Sequence, residues 1–321
     1  MMKMQHWRRR FVYITCLWFS VVYACSVYAG PEQADAWPKT LVNSDGSRVV
    51  IPARPERILS TSVTVTGTLL AIDAPVVASA SATTNAYFAQ WQEVAKAKEV
   101  TNVWPAGRIN LEAAYAVRPD LIIVSAGGAD SAMAHVEMLR AIAPVLIVDY
   151  AVTDWQGLAT TLGRALGLEQ SAQQRITSFN QYVEDVRQHI HLPEGKVNIV
   201  SYNGPGIINP VGTATGTHGK LLRALGFVVV TPPGIMKGSS EDAGDFIRSE
   251  YEELIRLNAA SVFLLRRRVD DVNGLLNDPV LQNLPAVKNK QVWGMGENSF
   301  RMDFYSATET VDIIADLFSS P

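Results

Sequence analysis

The chain has 321 residues, 48% hydrophobic and 18% charged, with a formal net charge of −3. That length buries a sizeable core and has room for two domains of ordinary size. With the first 29 residues set aside, 24 basic residues stand against 31 acidic ones, a net charge of −7. This balance excludes a general nucleic-acid binder, which needs a basic surface to displace counterions. An anionic ligand would need its own local cluster of Arg.

The first segment reads as a secretory signal peptide over residues 1–29. Lys3, Arg8, Arg9 and Arg10 form a basic start, an apolar run follows from Phe11 to Val22, and Val27-Tyr28-Ala29 suits cleavage. Val22-Tyr23-Ala24-Cys25 loosely resembles a lipoprotein box, but Tyr is bulky for its position, so a lipid anchor at Cys25 is the alternative reading. Cys16 and Cys25 both lie in this leader, which leaves the mature chain without thiol chemistry. No later run approaches the 18 apolar residues of a membrane span. A soluble, exported protein is expected.

Leu41 to Ile51 predicts a hairpin around Asn43-Ser44-Asp45-Gly46. A short strand ends at Ser60, Thr66 to Ile72 predicts a helix, and Pro75 to Ala78 a second strand. Glu112 to Val117 reads as helix, broken by Arg118-Pro119-Asp120 before the apolar runs Leu121 to Val124 and Val145 to Val148. Short continuous apolar runs alternating with helices predict a parallel sheet covered on both faces.

From Ala172 the apolar residues Ala172, Ile176, Phe179, Val183, Val186 and Ile190 recur at helical spacing. No Gly or Pro interrupts them, so one long helix is expected over residues 169–191. The pattern then starts again. Val197 to Val200, Phe227 to Val230, Val262 to Leu265 and Gln291 to Trp293 read as strands. His218 to Leu225, Glu250 to Leu257 and Ser306 to Phe318 read as helices. The expected fold is α/β, with two Rossmann-like lobes of parallel sheet (residues 30–168 and 192–321) joined by that helix.

Ligands of open α/β sheets bind beyond the carboxyl ends of the strands. With two lobes, the shared cleft is the candidate site. The loops to inspect are 60–64, 79–88, 125–130, 202–217, 266–271 and 294–305. Catalytic signatures are absent: there is no G-x-S-x-G elbow, and Gly219-Lys220 lacks the spacing of a phosphate loop. The histidines of the mature chain, His135, His189, His191 and His218, read as surface or helix-end residues, and no metal site is assigned.

Arginine stands out. Arg266-Arg267-Arg268 directly follows an apolar strand, and either lines the cleft or forms a basic turn neutralised by Asp270 and Asp271. Arg301 lies among Phe300, Phe304 and Tyr305 after the last strand. A guanidinium among rings suits anionic, delocalised ligands. Tyr87, Phe88, Trp104 and Tyr202 occupy other loops beyond strands, and Trp104 and Trp293 are expected near the cleft.

The segments Arg54-Pro55-Glu56-Arg57-Ile58-Leu59-Ser60, Thr66 to Pro75, Arg118 to Ile123, Ala143 to Ile147, Leu284 to Val292 and Phe300 to Ala307 together resemble a known family. It is that of the siderophore-binding proteins of bacterial ABC importers, and the likeness is strongest to those of the ferric-enterobactin type. It covers essentially the whole mature chain, more loosely from Tyr202 to Asp245. The resemblance implies a periplasmic, non-catalytic protein with no intrinsic cofactor, which reads the outside of its ligand. It would bind an anionic ferric catecholate siderophore, whose own oxygens hold the iron, and deliver it to an inner-membrane ABC permease.

In such proteins an Arg at the position of Arg301 faces the anion. A Glu on each lobe engages the permease; Glu112 matches the first, and Glu252 the second, with Glu250 and Glu253 close by. The expected ligand contacts are Arg301, Arg266, Arg267, Tyr87, Trp104, Tyr202, Phe300 and Tyr305, in a monomer. The loop Thr83 to Phe88 looks short and lacks an Arg, which Arg266 and Arg267 could supply from the other lobe. A receptor for haem, cobalamin or another iron chelate, and a periplasmic siderophore esterase, are the alternative readings.

Overall fold

The structure, a computed structural model, describes residues 36–232 and 244–319. The leader expected over residues 1–29, with Cys25, lies outside the described residues. Strands β1 (Lys39–Val42) and β2 (Arg48–Ile51) form the expected antiparallel hairpin. Its turn is tied to the first sheet: Asn43 Oδ1 accepts from the Ile147 amide at 2.9 Å, and the Ser44 amide donates to the Ile147 carbonyl at 3.0 Å.

The first lobe then runs β3 (Ile58–Ser60), α1 (Val63–Ala71), β4 (Val76–Ser81), α2 (Ala89–Ala97) and β5 (Thr101–Pro105). It continues with α3 (Leu111–Ala116), β6 (Leu121–Ser125), α4 (Val136–Arg140) and β7 (Val145–Val148). The sheet is wholly parallel in the order β5-β4-β3-β6-β7. β3, β6 and β7 are buried throughout, which is why they read as unbroken apolar runs. α2 and β5 carry no such signal; α2 buries only Trp91 and Ala95.

Helix α5 (Trp155–Leu166) is capped by the Asp154 carboxylate and stopped by Gly167 in the left-handed region. Helix α6 (Glu169–His189) follows directly, two residues shorter than its pattern suggests. At 1.5 Å per residue its 21 residues span about 32 Å. It buries Ala172, Phe179, Val183 and Val186 of the stripe. At Ile190 the chain turns extended and bridges to Ser319.

The second lobe comprises β8 (Lys196–Val200), β9 (Asn209–Gly212), α7 (Thr217–Ala224), β10 (Val228–Val229) and β11 (Phe246–Ser249). After them come β12 (Ser261–Leu264), α8 (Asn273–Leu276), α9 (Pro285–Lys288), β13 (Val292–Gly294) and α10 (Phe304–Phe318). The order is β11-β9-β8-β12-β13, with β10 beside the start of β8. Here the sheet departs from the all-parallel expectation. β9 runs antiparallel to β8, and β11 antiparallel to β9. Tyr251–Arg256 is a 3₁₀ turn rather than an α-helix.

The last helix holds the two lobes together. α10 packs on α1 and α2 of the first lobe as well as on α6. At its far end Phe318 sits against Phe227, Phe263 and Trp293 of the second lobe.

Candidate ligand-binding site

The carboxyl ends of both sheets face a cleft. One cavity of about 470 Å³ is lined by Thr64, Thr68, Tyr150 and Trp155 from the first lobe and by Asp245, Phe246, Phe300 and Arg301 from the second. A second, of about 320 Å³, shares Phe300 and Arg301 and adds Tyr87, Phe88 and Arg266. Phe300 is the hub. Its ring stacks on Phe246, centroids 5.0 Å apart and planes within 9°. The Arg266 guanidinium lies 3.7 Å from the Phe300 centroid and that of Arg301 5.8 Å. The parallel ring and the nearer guanidinium are too close to share one face of Phe300, so they occupy opposite faces.

The backbone fixes both arginines. Arg266 follows β12 with φ of +58°, in the left-handed region, where its amide donates to Ser299 Oγ at 3.1 Å. The Arg301 carbonyl accepts from Ser306 Oγ at 2.7 Å, within the capping box in which Asp303 closes the start of α10. Among the described residues neither guanidinium has a carboxylate within ion-pair distance. Partial burial, then the charges of Arg301 and Arg267, lower the pKa of Arg266 from its ordinary value. Two neighbouring cations, without a carboxylate partner among the described residues and set on an aromatic floor, make a site for an anion.

The triple arginine is divided. Arg268 pairs with Asp270 at 3.2 Å, so the neutralised-turn reading holds for it. Arg267 donates to the Tyr202 carbonyl at 3.1 Å and lies 3.9 Å from Asp271. It lines neither cleft cavity and acts on the cleft only through its charge near Arg266.

Several expected aromatics are not brought to the cleft. Trp104 is buried in the first-lobe core among Leu59, Ala80 and Ile122. Tyr202 turns inward to donate to Asp278, which also accepts from Tyr251 at 2.7 Å. Tyr305 packs edge-on to Phe304, and its nearby charges are Arg175, Asp303 and Asp73, outside both cavities. Trp293 packs on Phe318 at 5.2 Å. Tyr87 does line the cleft, but with its ring, because its hydroxyl donates to the Val100 carbonyl at 3.2 Å. His218 is buried rather than superficial; its Nε2 meets the Ser299 carbonyl at 2.6 Å, and burial lowers its pKa. No group of three or more His, Cys, Asp or Glu among the described residues could hold a metal ion.

The loop after β7 is not among those the sequence singles out. It contributes Tyr150, Thr153 and Asp154 to the larger cavity. The signal for it is present, because β7 reads as an unbroken apolar run and the rule of strand ends applies to it equally.

Two α/β lobes facing each other across a cleft, with one long helix between them, define a bilobal ligand-binding protein. The family described as periplasmic binding protein matches residues 58–298, and the chain belongs to it. It is similar to the ferric enterobactin-binding periplasmic protein FepB of Escherichia coli, with 37% identity over 89% of this chain and 92% of that one. It also resembles holo-ViuP, at 46% identity and a TM-score of 0.85, covering 89% of this chain and 97% of the other. The fold recurs in Staphylococcus aureus SirA complexed with staphyloferrin B, at 19% identity and a TM-score of 0.67 over 87% of this chain and 97% of that one. No helix among the described residues is long and apolar enough to cross a membrane.

Proposed function

We propose that this protein is the periplasmic binding component of an iron–siderophore ABC importer. Its cargo is an anionic ferric catecholate of the enterobactin type, delivered intact to an inner-membrane permease. One observation carries the reading: Arg266 and Arg301, without carboxylate partners among the described residues, flank the Phe300 ring inside the interlobe cleft. A ferric tris-catecholate combines negative charge with aromatic edges, and that arrangement matches both. The likeness to the enterobactin-binding relative supports the same ligand class.

Glu112 and Glu252 are the residues proposed to dock on the permease. Each is exposed and lies shortly after the edge strand of its sheet, β5 or β11. Each is followed three residues later by an exposed apolar side chain, Tyr115 or Ile255. A monomer, exported by cleavage after Ala29, completes the proposal. Titration with ferric enterobactin, followed by quenching of tryptophan emission, tests it, since Trp155 lines the larger cavity. Quenching at micromolar ligand or below is expected; none would refute the assignment. Mass spectrometry of the ligand after incubation should return it unhydrolysed, and a cleaved product would favour the esterase reading instead.

A further inference from the structure

The two cavities that meet at Arg301 differ in character. The smaller has the second arginine and the rings of Tyr87 and Phe88. Among the described residues the larger has Arg301 as its one basic lining residue, and it sets threonine and tyrosine hydroxyls and the carboxylates of Asp154 and Asp245 among apolar walls that include Trp155 and Phe246. Asp154 is partly offset by Lys220 at 3.3 Å, and Asp245 accepts from the Thr217 amide at 2.6 Å.

Tyr150 is built into this larger chamber. Its hydroxyl donates to Asp130 Oδ1 at 2.9 Å, while Asp130 Oδ2 accepts from Ser62 Oγ at 2.6 Å and from the Thr64 amide at 3.0 Å. Asp130 is only 6% exposed, so the carboxylate that holds the phenol is itself fixed. On the other side Gly128 has φ of +90°, and a Cβ there would fall 1.7 Å from the Tyr150 hydroxyl. A side chain at position 128 would displace the phenol. The ring is nonetheless only half-buried and opens on the cavity.

The phenol gives its proton to Asp130 and also takes a hydrogen bond from the Thr64 side chain, which leaves one lone pair of its oxygen as an acceptor. Burial and the Asp130 charge raise the Tyr150 pKa, which keeps the phenol neutral in the periplasmic range. Arg301, which lines the same chamber, attracts anionic oxygens, whereas the phenol oxygen and the carboxylates of Asp154 and Asp245 hold donors. We propose that the Tyr150 chamber is a second subsite, which reads hydroxyl or ammonium donors on the organic backbone of the chelate whose anionic face rests on Arg266 and Arg301. This rests on the functional reading above and adds a selection by backbone to a selection by charge.

The test uses two ferric tris-catecholamides of equal charge, one with a free backbone hydroxyl and one with that hydroxyl methylated. Wild-type protein is expected to bind the hydroxyl form about tenfold more tightly, the scale of one good hydrogen bond in a desolvated site. Tyr150→Phe should remove the preference while binding the methylated chelate within twofold of wild type, which also shows that the variant is folded. Arg301→Ala should weaken both chelates alike. Equal wild-type affinities, a preference that persists in Tyr150→Phe, or an equal loss for both chelates in that variant would overturn the subsite. Failure of wild type to bind either chelate would remove the functional reading, and the subsite with it.

Discussion

The Asp303 carboxylate rests directly on the backbone of Gly67, joining the last helix of the chain to the first helix of the opposite lobe. A Cβ on Gly67 would lie 2.5 Å from Asp303 Oδ2 and 3.0 Å from the Trp91 ring. Gln90 of α2 donates to the same oxygen at 3.2 Å. Gly67→Ala must therefore push α10 away from α1 or break the cap. A loss of about 1–3 kcal/mol is expected from such overpacking, measured by urea unfolding. Gly127→Ala, where nothing lies within 4 Å, is the matched control and should leave stability unchanged.

The same carboxylate makes stability depend on pH. Burial raises the Asp303 pKa to about 6 from an ordinary value of 3.8, against the opposing pull of its hydrogen bonds from Ser306, Gln90 and Tyr305. A raised pKa means the folded chain holds this proton more tightly than the unfolded one. Its contribution is therefore fully present below pH 3.8 and is lost as pH rises to about 6. Asp303→Asn keeps an effective cap without the buried charge. Thermal melts should place this variant above wild type at pH 7.5, with the gap closing by pH 4. A gap that is constant with pH would show that Asp303 does not titrate in this window.

Much of this architecture is legible in the sequence where the signal is local. The stripe from Ala172 to Val186 gives α6 directly, and the apolar runs give β6 and β7. Even the motif residues that carry the family resemblance have local structural duties. Arg57 donates to the carbonyls of Val117 and Arg118 at 2.7 and 3.1 Å, and Asp120 accepts from the amides of Glu56 and Arg57. Arg301 and Arg266 stand out in the sequence because they follow strands. The same rule places Trp104 and Tyr202 at the cleft, yet both turn to the core, since a residue at a strand end can point either way. β9 and β11 left no clear mark; Asn209-Pro210-Val211-Gly212 does not read as a strand, and its pairing spans distant residues. The bridging role of α10 depends on Gly67 and Trp91, more than 200 positions earlier, which no window of sequence displays.

Affinity should depend on the two cleft arginines unequally. Arg266 covers the Phe300 face, so Arg266→Ala removes packing as well as charge, whereas Arg301 stands farther from the ring. A charge-assisted contact contributes about 1.5–3 kcal/mol, so each single variant should weaken ferric enterobactin about 10- to 100-fold, Arg266→Ala more than Arg301→Ala. Arg268→Ala, whose partner is Asp270, should change affinity less than twofold. Fluorescence titration separates the three, and equal losses at Arg268 and Arg301 would argue against the cleft assignment.

Transport should fail without loss of ligand binding when the proposed docking residues are reversed. Glu112→Lys and Glu252→Lys alter exposed positions outside both cleft cavities. Uptake of iron-loaded ligand by cells carrying either variant should fall several-fold, and the double variant should fall further. Titration of the purified variants should match wild type. A variant that loses ligand affinity instead would place its Glu at the cleft rather than at the permease.

Loading should move the lobes little. The long helix expected from the sequence has a companion, because α10 runs beside α6 in the same direction. Arg175 lies 4.8 Å from the Phe304 ring near their first-lobe ends, Tyr182 donates to Asp312 midway, and Ile190 bridges to Ser319 at the far ends. Trp155 and Phe179 close on the same Phe304 ring at 5.6 and 6.2 Å. A hinge of a few flexible residues can absorb a large rotation, but bending two packed helices together requires breaking these contacts in concert. Small-angle scattering of free and siderophore-loaded protein should therefore nearly superimpose. Phe304→Ala, which removes the ring shared by both helices, should widen the free-state distribution; a large compaction of the wild type on loading would show that the paired helices do not restrain the lobes.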